Sequence, residues 1–348
     1  MTVAPPATPL RLTIDGEALA HNWQTLDALS GAAKAGAAVK ADAYGLGARR
    51  VAPLLARAGC ADFFVAHWAE AADLVDLIDP RRIAVLHGPL TDADVAFAKA
   101  TGVRPVLNSL DQARRWREAG GGLCDVMVDT GMNRLGLAAG DLGQLAGLEV
   151  DVLHSHLASG DEDSALNALQ LQRWQASRGT LPHRRAALAN SAGIALGAAY
   201  HGDLTRPGLA LYGGIARAEL ADVIRPVVQP QVALLQVRQV AAGDTIGYNA
   251  TFTAPGPMRL GTVALGYADG YLRCWSGQGM LRTGDGGELP VLGRVSMDLT
   301  IVDLTHVPHL TEGDWLNVDY DLPRAAAQTG LSQYELLTGL GNRFARAG

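Results

Sequence analysis

The stretch Gly36 to Gly47, GAAVKADAYGLG, decides how the chain is read. A short apolar run ends in Lys40, a turn punctuated by Gly45 and Gly47 follows, and a helical pattern starts near Ala48, so the segment reads as strand, turn, helix. Lysine is scarce: only Lys34, Lys40 and Lys99 occur, and every other fixed cation is arginine. An amine can lose its proton where a guanidinium cannot. A desolvated lysine at a strand end therefore suits Schiff-base chemistry with an aldehyde or ketone, because burial frees the nucleophilic lone pair. The plain alternative is a lysine whose stem lies along the surface and whose head reaches water.

Outward from this stretch, one alternation repeats. Apolar runs at Ala37–Lys40, Phe63–Ala66, Ile83–Leu86, Pro105–Leu107, Asp125–Asp129, Val152–His156, Ala186–Ala189 and Leu209–Tyr212 are separated by amphipathic segments. Those segments include Arg49–Ala58, Ala69–Ile78, Asp92–Ala100, Leu110–Ala119 and Ser164–Arg178. Eight strands alternating with helices predict a (β/α)8 barrel, an α/β fold, over about residues 10–225. A doubly wound sheet would place a Gly-rich phosphate turn after the first strand, and GLGARR is a poor match to it. Beyond Ile224 the texture changes. Alternating runs at Val232–Val240, Thr262–Leu265, Leu289–Leu292 and Met297–Val302, with Gly and Asp turns between them, predict a mostly antiparallel β domain over 226–348. A single helical stretch is expected at Ser332–Leu340, and the Leu10–Ile14 segment is able to pair into this domain.

The chain has 348 residues, 48% hydrophobic and 18% charged, with a net charge of −6. That is a folded globular composition with no basic patch for nucleic acid or an anionic membrane, which leaves small molecules as the expected partners. Cys60, Cys124 and Cys274 are odd in number and far apart, which argues for a reducing compartment. With no leader pattern in MTVAPPATPLRL and no long apolar segment, a cytoplasmic protein is expected.

In a barrel of this kind the residues just after each strand form the active site. Here they are polar: Asp129 to Gly136 (DTGMNRLG), then His154-Ser155-His156, then Ser191 in ALANSAG, then Arg206 to Gly213 (RPGLALYG). Ser191 opens a helical pattern, which makes a phosphate site or an ordinary cap. Two histidines at i and i+2 also suit a metal-dependent hydrolase, with His183 and His201 as further ligands, but that reading leaves Lys40 unexplained.

These motifs together resemble the alanine racemases, fold-type III pyridoxal-phosphate enzymes. VKADAYGLG looks like the family's cofactor-attachment motif, DTGMNRLG its DTGMxRLG signature and RPGLALYG its RPGxxLYG motif. GYADG from Gly266, GRVSMD from Gly293 and QYE from Gln333 match in order. The resemblance implies that Lys40 carries pyridoxal 5'-phosphate. Tyr44, Ser191, Gly208, Leu209 and Tyr334 would hold its phosphate, His156 would stand beside the ring, and Arg206 would donate to the pyridine nitrogen. Arg134 and the backbone of Met297 would meet the substrate carboxylate. Lys40 and Tyr267 would be the two bases that interconvert L-alanine and D-alanine, the former on the D-alanine face, with His156 and Arg206 assisting the tyrosine. A homodimer with shared sites, and D-alanine supplied for cell-wall peptidoglycan, are implied as well.

An arginine at the pyridine nitrogen, in place of a carboxylate, leaves the ring a weaker electron sink and favours proton exchange over transamination. The alternatives are a racemase for serine or another amino acid, the metal-dependent hydrolase, and a cofactor-binding barrel without catalysis. Three departures stand out. Leu46 replaces a histidine, Ser296 a cysteine, and Met127 a lysine that many relatives carry as a carbamate beside the arginine. Without that anion the positioning of Arg134 is open, and a small anion such as chloride is expected in its place.

Overall fold

A computed structural model of the chain describes residues 6–347; residues 1–5, on which part of the reading of the N-terminus rests, and residue 348 lie outside them. The described residues divide into two units. One is Gly16–Arg225; the other joins the residues up to Asp15 with those from Pro226 onward.

The first unit is built on seven parallel strands. In order they are Ala37–Ala38, Phe63–Val65, Ile83–Val85, Arg104–Leu107, Leu123–Met127, Glu149–His154 and Arg185–Ala187. An eighth, Leu204–Thr205, pairs in parallel with Lys34–Ala35. The ring closes through main-chain hydrogen bonds from Arg206 to Ala189 (2.8 Å), Gly36 to Thr205 (2.9 Å) and Ala38 to Pro207 (2.9 Å). Gly36 is required where the first strand changes partners, because a β-carbon there would lie 2.8 Å from the Asp62 carbonyl oxygen.

The eighth strand is not where the apolar run placed it. Leu209–Tyr212 forms a 3₁₀ turn, and the strand lies just before Pro207. Proline has no N–H for the ladder, so pairing stops there. All four residues of the turn are buried, which is why they read as a strand: a short apolar run does not reveal its period.

Helices Ala48–Ala58, Asp92–Thr101, Leu110–Glu118 and Ala165–Arg178 occupy the expected crossovers. Their starts are chemically marked. Thr91 and Asp94 form a capping box, and Ser109 and Ser164 accept amides of the first turn. The expected helix at Ala69–Ile78 is only Trp68–Ala72 followed by turns, and an unanticipated helix, Gly16–Leu29, precedes the barrel. One apolar layer, including Leu107, Val126, Leu153 and Trp174, packs together with the helices. A second, of Phe64, Ala84, Val106, Met127, Val152, Ala187 and Leu204, takes one residue from each of seven strands, as expected of a filled barrel interior.

The second unit centres on the long strand Val228–Val240. Leu10–Ile14 pairs with it antiparallel, Leu10 opposite Val232, and Trp315–Val318 and Met258–Val263 pair with other parts of it. With Thr300–Asp303, Glu288–Leu292 and Met280–Arg282 these strands form one eight-stranded sheet, edged by Ala345–Ala347. Val228–Val240 pairs with its two neighbours in the order and also with Met258–Val263 at its far end, which curls the sheet on itself. It is antiparallel except where Leu10–Ile14 meets Ala345–Ala347. Alternate burial along Val228–Ala233 shows one face inward. The expected single helical stretch is present as Gln333–Thr338, but a second helix, Leu322–Thr329, precedes it, capped by Asp321.

Candidate active site

Lys40 lies two residues beyond the first barrel strand and opens a turn of unusual hand. Ala41, Asp42, Ala43 and Tyr44 all have φ between 53° and 57°, and Gly45 follows at 87°. A left-handed turn of non-glycine residues costs about 1–2 kcal/mol per residue, so the surroundings must hold it. They do so with short hydrogen bonds. Glu70 accepts the amides of Ala41 (2.7 Å) and Ala66 (2.6 Å), Asp42 accepts that of Ala48 (2.7 Å), and Gly45 and Gly47 donate to Ala41 and Asp42. Asp42 thereby covers an open amide at the start of the Ala48–Ala58 helix. The turn fixes the backbone that carries the Lys40 amine. Burial lowers the pKa of that amine, Arg134 and Arg206 push it the same way, and Glu70 opposes them.

Tyr44 is buried, with its ring 4.9 Å from that of Tyr212, whose hydroxyl donates to the Ala38 carbonyl (2.8 Å). A β-carbon on residue 208 would collide with the Tyr44 hydroxyl, so only glycine fits there. Ser191 Oγ accepts the amides of Gly208 (3.0 Å) and Ala210 (3.2 Å), while Leu209 lies buried in the same turn. The cap of the short helix at Ser191 is Asn190, whose side chain accepts from Gly193 (2.8 Å). That leaves the Ser191 hydroxyl to the 208–210 turn. Tyr44, Ser191 and the glycine-lined turn thus form a cradle of hydroxyls and amides, the donor chemistry that suits a phosphate.

Arg206 is buried, with its guanidinium on the carbonyls of Ser155 and Leu188 (3.2 Å to the latter), and burial lowers its pKa to about 10. The carbonyl of His156 is held by Gln170 (2.9 Å). Burial together with the positive charges of Arg206, Arg134 and Lys40 holds the His156 imidazole well below its ordinary pKa, hence neutral. The loop to Arg134 is pinned by Asp129, which accepts the amides of Gly131 (2.8 Å) and Met132 (2.9 Å). Arg134 itself is exposed, and among the described residues no carboxylate pairs with it. Met127 packs in the apolar barrel layer.

The other histidines are committed elsewhere. His154 Nε2 meets Asp125 (3.1 Å), His201 has a main-chain carbonyl at each ring nitrogen (3.0 and 2.9 Å), and His183 faces the Leu181 carbonyl (2.7 Å). No three His, Cys, Asp or Glu side chains converge as a metal ligand set among the described residues.

The second unit carries Tyr267, Met297 and Tyr334. Tyr267 donates its amide to Ser296 (3.0 Å) and Ala268 donates to Met297 (3.0 Å), which lays GYADG against GRVSMD. Gly266 permits this approach, since a β-carbon there would strike the Met297 carbonyl. Buried Asp269 accepts from Gly266 (2.9 Å) and Arg343 (2.7 Å), and the Arg273 guanidinium lies 5.6 Å from the centre of the Tyr267 ring. Met297 and Tyr334 are exposed, 54% and 41%.

Several residues that shape the site were not anticipated. Asn190 carried a signal, being a cap-forming type just before a helical pattern. Tyr212 and Asp125 lie in quoted runs without a role assigned to them, and Glu70 carried no signal, since its contact with Ala41 joins two separate strand ends.

The family model described as alanine racemase, N-terminal domain, matches residues 14–216, and alanine racemase, C-terminal domain, matches residues 227–347. An alanine racemase of Methylobacterium nodulans is 43% identical over 97% of this chain and 95% of its own length. A catabolic alanine racemase of Agrobacterium fabrum is 43% identical over 97% and 91%. Among solved structures, the alanine racemase of Bartonella henselae, with covalently bound pyridoxal phosphate, superposes with a TM-score of 0.89 at 35% identity, covering 98% of this chain and 99% of that one. The biosynthetic alanine racemase of Pseudomonas aeruginosa superposes at 0.87 with 32% identity, covering 97% and 99%.

Proposed function

The chain belongs to the alanine racemase family, and on that premise we propose that it interconverts L- and D-alanine with two bases, Lys40 and Tyr267, and pyridoxal phosphate held on Lys40. The observation that carries this is the Lys40 amine, with its pKa lowered, on a left-handed turn that also delivers Tyr44 to the Gly208–Ser191 cradle. The residues present fit the cofactor: an amine for its aldehyde, hydroxyls and amides for its phosphate, and a cation at Arg206 for its ring nitrogen. When bound, pyridoxal phosphate supplies an electron-withdrawing ring that acidifies the α-proton of the attached amino acid.

The chain's own groups do the rest. Lys40 Nζ would take or return the α-proton on the D-alanine face, and Tyr267 Oη would do so on the other. Two bases on opposite faces invert the centre without the substrate turning over. Arg134 and the backbone of Met297 orient the carboxylate, neutral His156 lies beside the ring, and Leu209 and Tyr334 complete the phosphate site. Arg206, a fixed cation held on the Ser155 and Leu188 carbonyls, would face the ring nitrogen without giving up a proton, an arrangement that would favour proton exchange over transamination.

We place Lys40 and the partner subunit's Tyr267 in one site of a homodimer. The exposure of Met297, Tyr334 and Leu299, with the first and last beside the Tyr267 loop, supports a covered face there. We place the enzyme in the cytoplasm, where its free cysteines stay reduced and its D-alanine feeds cell-wall peptidoglycan. Among the described residues no helix is long and apolar enough to cross a membrane.

Borohydride reduction of the purified protein followed by peptide mapping tests the premise. Label on Lys40 is expected. Label on another residue, or bound metal without a chromophore, overturns it.

A further inference from the structure

The barrel interior holds charges that none of the steps above uses. Asp125 and His154 are fully buried, with His154 Nε2 and Asp125 Oδ2 3.1 Å apart. The ladder between their strands slips between Cys124 and Val126, and Asp125 Oδ1 accepts the amide of Val152 (3.2 Å). A carboxylate held charged can only accept, so Nε2 carries the imidazole proton and Nδ1 is a bare lone pair. Among the described residues that Nδ1 has no hydrogen-bond partner, nor has the Nε of Arg206.

Arg104 lies 3.1 Å from Asp62, 3.4 Å from Asp125 and 3.6 Å from Asp151, and Arg185 meets Asp62 (2.8 Å) and Asp151 (2.7 Å). Three carboxylates face two guanidiniums, leaving one buried negative charge over. Arg206 is the converse, a buried cation resting on carbonyls, with no carboxylate at ion-pair distance among the described residues. An uncompensated buried charge is strongly destabilising. The His154 imidazole lies in the field of both, Asp125 on one hand and Arg206 on the other, and His154 immediately precedes Ser155, whose carbonyl holds the Arg206 guanidinium. The Phe64 ring packs edge-on against the imidazole at 5.7 Å, so it does not move freely.

We propose that Asp125 and His154 are positioning residues for Arg206. Asp125 supplies the anion that balances the guanidinium across the imidazole, and His154 fixes the strand end whose carbonyl holds it. Together they set the field at the ring nitrogen, and through it the preference for racemisation over transamination. The inference rests on the role given to Arg206 above.

The test uses holoenzyme reconstituted with pyridoxal phosphate carrying 15N at the ring nitrogen. The 15N chemical shift is read in the wild type and in Asp125→Asn, His154→Met and Arg206→Gln. Asp125→Asn is isosteric and keeps an acceptor for Val152; His154→Met fills the space without a charge and carries the test where the first variant fails to fold. All three are expected to displace the signal. The fraction of turnovers ending in pyruvate and aminated cofactor is expected to rise about tenfold in Asp125→Asn, the order for one charge lost from a low-dielectric interior. A pair that only stabilises the fold lowers Tm and leaves the signal in place. If Arg206→Gln moves the signal while neither Asp125→Asn nor His154→Met does, the proposal is overturned. If Arg206→Gln leaves it unmoved, the assigned role of Arg206 fails, and this inference with it.

Discussion

The phenol of Tyr44 stands in the space a β-carbon on residue 208 would need, its Cζ only 2.9 Å from that position. The attachment turn and the phosphate turn, far apart in the chain, therefore interlock at one atom. Forcing a methyl group into such a contact costs about 1–3 kcal/mol. We expect Gly208→Ala to weaken cofactor binding by about tenfold to a hundredfold, with the fold retained on circular dichroism. Adding Tyr44→Phe removes the colliding hydroxyl and should return part of the loss. Equilibrium dialysis against pyridoxal phosphate measures both variants, and simple additivity of the two would show that the contact does not matter.

Lys40 gives a pH dependence of definite sign. An amine whose folded pKa lies below its unfolded value binds fewer protons in the folded state over that interval, so stability rises with pH there. Cofactor-free protein should bear the full penalty below the folded pKa of Lys40 and shed it as pH climbs towards the ordinary 10.5. Cofactor-free Lys40→Met is then expected to melt above the wild type at neutral pH, with the gap narrowing as pH rises. Calorimetry at several pH values checks this, and a gap that widens with pH contradicts the assigned burial of the amine.

Met127 belongs to the same apolar layer as Phe64 and Val106. It cannot hold a carbamate, and Asp129, near Arg134 in sequence, spends its carboxylate on the amides of Gly131 and Met132. We expect racemase activity to rise with chloride at constant ionic strength, the anion standing beside Arg134. Met127→Lys places an amine among hydrocarbon and should lower Tm sharply unless bicarbonate is present. Activity indifferent to chloride would show that Arg134 is held by other means.

Much of this site was legible because its chemistry sits at strand ends, where a motif of eight or nine residues carries its own turn. Lys40, Arg134, Ser191 and Arg206 are proposed on that ground. The eighth strand was misplaced because Leu209–Tyr212 is as buried as a strand would be, and only Pro207 marked the break. The left-handed hand of Ala41–Tyr44 was illegible, since alanine and tyrosine disfavour positive φ and an aspartate adopts it only as an isolated residue; Glu70 holds the turn from outside and the Asp42 side chain from within. The Asp125–His154 pair was illegible for a different reason. It depends on the register of two strands whose ladder slips by one residue, and register is not written in either strand alone.

Lys40 lies in the barrel unit and Tyr267 in the β unit, so each chain carries both bases but need not use them together. In a two-fold dimer each β unit can serve its partner's barrel, and the arrangement occurs twice. Lys40→Ala and Tyr267→Phe homodimers should each be nearly inactive. Mixed and allowed to exchange, they form hybrids in which one site has lost both bases and the other has kept both. About half the dimers are hybrids at equal mixing, each with one intact site of two, so activity should reach about a quarter of the wild type. Native mass spectrometry establishes that exchange has occurred. Activity that stays at the parental level once hybrids are present would place Tyr267 beside Lys40 of its own chain, and the shared site would have to be abandoned.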